Sequence, residues 1–393
     1  MEINTNIIIV GAGISGLDTA LALHRLGIRS LVLESSDKLR AAGFGLGIWT
    51  NAWNVLDALG IGNTLRQRHC QLFGGNDHDF RCVRRKELLE ALANELPSGT
   101  IRYSSKLVSI EESGFSKLVH LADGSIFKTK VLIGCDGVNS LVAKWLGFKR
   151  PSLTGRSAIR GCAYYKEGHG LESQFQLFVG SNARCGVIPC DNTAVYWFFS
   201  STPSTQESRR LQEADQLKLK QFVLTKLGKV PDQIRSVIED TRVEEIVRSS
   251  LGYRPPLQIL FGNISKGNVC VAGDAFHPMT PDLGQGGCSS LEDGIILAKC
   301  LADALRENSS SQRRENDGSK DEYKRIESGL KNYAKKRRWR AFDLITTSYV
   351  LGWMQEFDGF GIRFLREKIL SANLSGFLIN KADVDPTQFT VCS

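Results

Sequence analysis

"NIIIVGAGISGLDTALALHRLGIRSLVLESS", Asn6 to Ser36, decides the fold. An apolar run, Ile7 to Val10, gives way to a glycine-rich turn. Apolar residues at helical spacing follow (Leu17, Ala20, Leu21, Leu23, Leu26), and then a second apolar run, Leu31 to Leu33. The order is strand, tight turn, helix, strand: a βαβ unit. The turn reads Gly11-x-Gly13-x-x-Gly16, and Glu34 closes the second strand. Gly11 serves the turn, Gly13 lets the backbone approach a pyrophosphate, and Gly16 lets the helix pack on the strand. Unpaired N–H groups at the helix start meet phosphate charge, and Glu34 is placed to accept hydrogen bonds from a ribose. Ile14 and Ser15 between the glycines, and Ser35 after Glu34, belong to the same cofactor-binding stretch. NAD, NADP and FAD all suit such a turn. A carboxylate at Glu34 repels a 2′-phosphate, which argues against NADP in this groove.

The rest of the chain sets the context. At 393 residues it is long enough for two or three units, and 42% hydrophobic with 23% charged residues is ordinary globular composition. The net charge of +8 is scattered. Its one dense basic run, "KKRRWR" (Lys335 to Arg340), reads as a solvated helix face, with an anionic-partner patch as the rival reading. Nucleic acid is not expected as a partner. The 10 cysteines include no C-x-x-C pair and no zinc-finger spacing, so no metal site is expected. Cys135 and Cys270 fall inside apolar strand patterns, which suits a reducing compartment. The βαβ unit begins within a few residues of Met1, leaving no signal peptide, and no run approaches the ~18 apolar residues of a membrane span. A soluble, cytoplasmic protein is expected.

Beyond the first unit come "GLGIW" (45–49), a helix-like "NAWNVLDALG", "CQLFGG", and an amphipathic helix in "CVRRKELLEALANEL" with Leu88, Leu89, Leu92 and Leu96 on one side. From about Gly155 to Phe261 the texture is β-rich, interrupted by a helical "ADQLKLKQFVLTKLG", and the opening pattern returns at "NVCVAGDA". The expected fold class is α/β: a Rossmann-like dinucleotide-binding domain with an inserted β-sheet substrate domain and a C-terminal helical segment. The expected ranges are 1–68, 85–155 and 265–345 for the first, 69–84 and 156–264 for the second, and 346–393 for the third. The polar stretch Glu307 to Arg325 reads as a loop between two helices.

Two further motifs follow strands: "IGCDGVNS" (Ile133 to Ser140) and "GDAFHPMTPDLGQGG" (Gly273 to Gly287). Each alone is compatible with plain turn chemistry. Together with the glycine turn they resemble, over nearly the whole chain, the FAD-dependent aromatic hydroxylases of the para-hydroxybenzoate hydroxylase class. The wording of the last motif, with "RRKELLEAL" and "IRGCAYYKEGH", is most similar to the plant monooxygenases related to salicylate hydroxylase and zeaxanthin epoxidase.

That resemblance implies FAD as the cofactor and assigns residues to it. Gly273 and Asp274 would meet the ribityl hydroxyls. Pro281, Gly284, Gln285, Gly286 and Gly287 would lie along the isoalloxazine, where backbone poor in side chains lets a flat ring approach. The helix starting near Cys288 would stabilise negative charge on the reduced ring. Arg85, with Arg84 its rival, would reach the ribityl and phosphate groups, and Val108 would meet the adenine edge through its backbone. Asp136 would bridge the pyrophosphate region and the donor's approach, while His277 reads as a structural hydrogen-bonding histidine. Gly286-Gly287-Cys288 stands where the family often carries an Asn.

With no second G-x-G-x-x-G, NAD(P)H would bind only transiently as the electron donor. The expected function is an NAD(P)H-driven, FAD-dependent monooxygenase. It would hydroxylate or epoxidise a small aromatic or apolar metabolite with O2, through a flavin C4a-hydroperoxide. The flavin carries the chemistry and no catalytic side chain is assigned. Trp49, Phe178, Trp197 and Phe199 are the candidate substrate wall, with a plain core role as the competing reading for each. The alternatives are an FAD-dependent dehydrogenase or oxidase on the same fold, and a flavin-loaded regulatory protein using "KKRRWR".

Overall fold

The computed structural model describes residues 2–40, 45–75, 78–180, 183–306, 315–356, 376 and 378–390. Ile7 to Val10 are all buried, and their strand, Glu2–Val10, lies between Leu31–Leu33 and Ile126–Gly134, both parallel to it. Val269–Val271 extends the sheet on one side and Ile101–Arg102 on the other, again in parallel. Ser265–Lys266 forms an antiparallel edge, and the hairpin of Leu107–Ser113 and Ser116–Leu121 lies antiparallel beside Ile126–Gly134. Its central strands are near-continuous apolar runs because both of its faces are covered.

The helices Ile14–Arg25 and Gly286–Arg306 pack on one another. At their crossing a Cβ on Gly294 would lie 1.8 Å from Asp18 Oδ2. Asp18 is fully buried and, among the described residues, neither of its oxygens has a hydrogen-bond partner. Burial, helped by the charge of Asp293, pushes its carboxyl pKa well up.

A second, antiparallel sheet runs in the order Gln176–Gly180, Ala183–Pro189, Ala194–Ser201, Ser152–Tyr164, Val247–Tyr253. The helices Thr205–Gln212, Gln216–Lys226 and Asp232–Asp240 cover one of its faces. A third sheet pairs His78–Arg84 with both Gly45–Ile48 and Gln71–Gly75. It therefore joins strands from the two sides of the boundary expected at residue 68. It packs on the antiparallel sheet closely enough that a Cβ on Gly45 would lie 2.6 Å from both Cys82 Sγ and the Tyr196 ring.

The 42-residue helix Glu315–Glu356 packs against the helix Gly286–Arg306 and the turn Pro281–Leu283 and passes without a break through the boundary expected at 345. Its start corrects the loop expected from Glu307 to Arg325. Residues 307–314 lie outside the described residues, but 315–325 are helical, as their Glu, Lys and Arg content allows. Of the expected C-terminal segment, residues 357–375, 377 and 391–393 lie outside the described residues.

The run "KKRRWR" divides by helical face. Lys335, Lys336 and Trp339 are exposed, whereas Arg337 is buried and Arg338 donates to the carbonyls of Leu260 and Gly262 at 2.7 and 3.0 Å. The solvated-face expectation therefore holds for half of the run. Among the described residues, no helix is long and apolar enough to cross a membrane and no group of His, Cys, Asp and Glu could hold a metal ion. The nine described cysteines are free thiols.

Candidate cofactor and substrate site

The glycine turn is tight because the backbone leaves no alternative. Gly11 adopts φ +101°, and a Cβ there would lie 2.5 Å from the Cys135 carbonyl oxygen. A Cβ on Gly16 would lie 1.9 Å from the Gly11 oxygen. Gly13, by contrast, has open space beside it, so the turn presents bare backbone to whatever lies outside.

Glu34 faces that turn. Its carboxylate accepts the N–H of Ala12 at 2.8 Å and of Ser36 at 2.9 Å and the Ser35 hydroxyl at 3.2 Å, with Arg40 3.6 Å away. Burial alone would raise its pKa, but the two N–H groups and Arg40 hold it below the usual value, so Glu34 is charged.

The other two motifs converge on the same place. Asp136 follows the strand that pairs Val10 with Gly134. It accepts the Ser140 hydroxyl and, at 2.7 Å, the Leu141 N–H, so it also organises the start of the short helix Leu141–Trp145. Burial raises its pKa. Gly273, at φ +60°, is pressed against Ser15, where a Cβ would lie 2.7 Å from the Ser15 Cβ. Asp274 opens into the cleft and is solvent-accessible, yet it stands deep enough that desolvation raises its pKa, with His277 and Arg85 pulling the other way. Arg85 begins the helix Arg85–Asn94, donates to the Arg40 carbonyl, and shares the field of Asp274, Arg160 and Glu34. Val108 is exposed where the Leu107–Ser113 pairing shifts register, which leaves it outside the residue-to-residue pairing.

The loop before the helix Gly286–Arg306 forms the floor. Pro281–Leu283 makes a single tight turn and Gly284 adopts φ +63°, with Trp49 Nε1 3.2 Å from where its Cβ would be. Gly287 faces Ile14 and Leu46. Gln285 Oε1 accepts from Asn51 Nδ2 at 3.0 Å. Among the described residues, the N–H of Trp49 Nε1 and the amide Nε2 of Gln285 are buried donors with no hydrogen-bond partner.

Two charged groupings behind this floor were not anticipated from the sequence. Asp282 is clamped by Arg156 at 2.9 and 3.0 Å and by Arg184, which ties the loop to the antiparallel sheet. Burial would raise its pKa, but Arg184 and Arg156 hold it low. Glu292 and Asp293, adjacent on the helix Gly286–Arg306, share Arg337, and Arg340 adds a second cation at Glu292. Burial opposes ionisation of Glu292, yet Arg337 and Arg340 bring its pKa to about 2. His277 is fully buried with Nε2 2.6 Å from Asp293, in line with a structural histidine. The adjacent acids inside the apolar stretch "CSSLEDGIILAKCLADAL" were the available signal, since paired buried acids need cations.

The expected substrate wall is corrected by strand alternation. Trp197 and Phe199 point to the helix-covered face, where Trp197 Nε1 donates to Thr241 Oγ1 at 2.8 Å and Phe199 meets Phe222 edge-on; Phe178 packs there too. Their neighbours Tyr196 and Phe198 take the opposite face. There a chain of aromatic contacts links Trp49 to Phe80 (4.3 Å), Phe80 to Phe175 and Phe175 to Phe198 (6.4 Å each), and Phe198 to Tyr196 (6.3 Å). Of the four candidates, only Trp49 stands beside the Gly284 loop.

Over residues 4–95 and 79–316 the chain matches the family described as FAD binding domain. It is 50% identical to Monooxygenase 2 of Arabidopsis thaliana across 98% of each chain. It is 36% identical to Monooxygenase 1 of the same plant, across 88% of this chain and 89% of that one. Among solved structures, Klebsiella pneumoniae HpxO complexed with FAD and uric acid superposes with a TM-score of 0.78 at 20% identity, covering 97% and 96% of the two chains. A salicylate hydroxylase substrate complex superposes at 0.73 with 18% identity, covering 99% and 97%. At those identities the structures speak to the fold.

Proposed function

The chain belongs to the FAD binding domain family and is an FAD-dependent monooxygenase, and from that premise we propose that it hydroxylates or epoxidises a small aromatic or apolar metabolite with NAD(P)H as electron donor. The observation that carries the substrate class is the aromatic chain from Trp49 to Tyr196, which meets the glycine loop at Gly284. The uric acid bound by HpxO and the substrate of salicylate hydroxylase belong to those proteins; here they support the reading only as precedents on a shared fold.

The residues present fit FAD. The open backbone at Gly13 and the charged Glu34 suit a pyrophosphate and an adenosine ribose, and Arg85 and Asp274, within each other's electrostatic reach, would offer a polyol chain a donor and an acceptor. The unpartnered donors of Trp49 and Gln285 suit the carbonyls and ring nitrogens of an isoalloxazine. Ile14, Ser15, Ser35, Val108, Asp136, Gly273, Pro281, Gly286 and Gly287 complete the proposed binding set. Bound FAD supplies electron transfer from NAD(P)H and the activation of O2.

The chain's own part is to hold that group, to exclude water with the aromatic chain, and to fix the loop through the Asp282 clamp. The proposed division of labour is that the parallel sheet and its helices bind the cofactor, while the antiparallel sheet presents the substrate from its Tyr196 and Phe198 face. The free thiols support a reducing, cytoplasmic setting.

The test is a screen of small aromatic compounds for those that accelerate NAD(P)H consumption by the purified yellow protein, followed by mass spectrometry of the product formed under 18O2. One labelled oxygen in the product is the expected result. An oxidised product without label would convert the reading to a dehydrogenase.

A further inference from the structure

We propose that Arg337, on the helix Glu315–Glu356, is a positioning residue for the flavin: through the single carboxylate pair Glu292 and Asp293 it fixes both cofactor loops, so that flavin affinity and reduction potential depend on a side chain standing behind them. The inference rests on the flavin reading of the cleft.

Two adjacent acids on a buried helix are costly unless compensated, and both of these are fully buried. Arg337, 3% exposed, compensates both at once. Its Nε donates to Asp293 Oδ1 and its Nη1 to Glu292 Oε2, each at 2.6 Å, and its Nη2 reaches the hydroxyl and carbonyl of Ser289 at 2.9 and 3.2 Å. A planar fork makes these bonds together; the point charge of a lysine would serve one carboxylate at a time.

The opposite side of Asp293 is turned to a loop, and that of Glu292 to Asn51, on the helix Thr50–Ala58, and Arg340. Asp293 Oδ2 accepts the Gly273 N–H at 2.8 Å and lies 2.6 Å from His277 Nε2, so it sets the turn whose next residue is Asp274. That turn has little freedom, because Gly273 is crowded by Ser15 and Ser290. Glu292 Oε1 accepts from Asn51 Nδ2 at 2.5 Å, and the same amide nitrogen reaches Gln285 Oε1 in the second loop. Apolar residues would hold two helices together at least as well as buried ions do. What the ions add is direction: from one anchor, one hydrogen bond aimed at the first loop and another that reaches the second through Asn51. Neutralising Arg337 also leaves excess negative charge behind the ring, which disfavours the anionic reduced flavin.

The experiment compares the parent holoenzyme with Arg337→Gln, Arg337→Lys, Asp274→Ala and the double variant Arg337→Lys/Asp274→Ala. FAD dissociation, flavin midpoint potential and melting temperature are measured for each. Arg337→Gln is expected to weaken FAD binding by about tenfold or more and to lower the midpoint potential, with Arg337→Lys between it and the parent. The double variant is expected to lose less FAD affinity than the sum of the two single losses, because the changes share the turn at Gly273 while the route through Glu292 remains separate. A fall in melting temperature with unchanged affinity and potential would reduce Arg337 to a structural ion pair. Additive losses in the double variant would overturn the route through Gly273. Should Arg337→Gln not fold, the lysine and double variants decide by the same criteria. A parent protein that takes up no FAD would overturn the flavin reading itself. A yellow parent indistinguishable from Arg337→Lys would overturn only this inference.

Discussion

Ile7, Ile8, Ile9 and Val10 are buried alike, whichever way each side chain points, because both sides of the parallel sheet are covered. Ala194–Ser201 is also buried nearly throughout, but its alternate residues serve two different neighbours. Val195, Trp197 and Phe199 fill the core beneath three helices, while Tyr196 and Phe198 meet the small sheet and the aromatic chain. In the first region the working surface is backbone, exposed by glycine. In the second it is side chain, selected by strand parity. A cofactor common to many proteins suits the first construction, and a variable substrate suits the second.

The sharpest way to break the comparison is Gly16→Val. Its Cβ would stand 1.9 Å from the Gly11 oxygen, so the cost is expected at the exceptional end, above about 4 kcal/mol, with no flavin retained after purification. Flavin absorbance per mole of protein is the readout.

Strand parity is tested by a neighbouring pair. Phe199→Ala is expected to lower stability by about 3–5 kcal/mol in urea unfolding while sparing KM in the surviving folded protein. Phe198→Ala should cost less stability and raise KM for any aromatic compound turned over. A reversed pattern would return Phe199 to the substrate wall.

Asp274→Ala is expected to remove a charge-assisted hydrogen bond to the cofactor, a loss of about 1.5–3 kcal/mol, or roughly ten- to a hundredfold in FAD affinity. Unchanged FAD titration curves would exclude Asp274 from the cofactor site.

The smallest expected effect is one of pH. The folded pKa of Glu34 lies below its ordinary value of 4.5, so its contribution is complete above that value and fades as pH falls through the folded pKa. FAD release on acidification, followed by flavin fluorescence, should therefore be shallower in Glu34→Gln than in the parent. Identical profiles would place the acid-sensitive group elsewhere.

The cofactor side was legible in the sequence because steric exclusion ties glycine spacing to backbone geometry within a few residues. Gly11, Gly16 and Gly273 each meet backbone or a neighbouring motif at distances that no side chain tolerates. The substrate side was not, because a shift of one residue exchanges the two faces of a strand, and "AVYWFFSS" is apolar on both. Long-range ion pairing was hidden for another reason. Arg337 looked like one cation in a surface run, and only the packing of two helices brings it onto Glu292 and Asp293. Arg156 and Arg184 stand on different strands, and Asp282 lies in a loop far from both in sequence, so no local spacing links the three.

The contact between Asp18 and Gly294 limits what the chain can change as well as how it folds. The carboxyl fills the space that a side chain at position 294 would need, and among the described residues its oxygens have no hydrogen-bond partner. Shortening Asp18 would remove the carboxyl but leave the Thr19 backbone nitrogen 2.8 Å from a Cβ at 294. Backbone therefore holds position 294 to glycine whatever side chain stands at 18, and a larger residue there must move one helix away from the other.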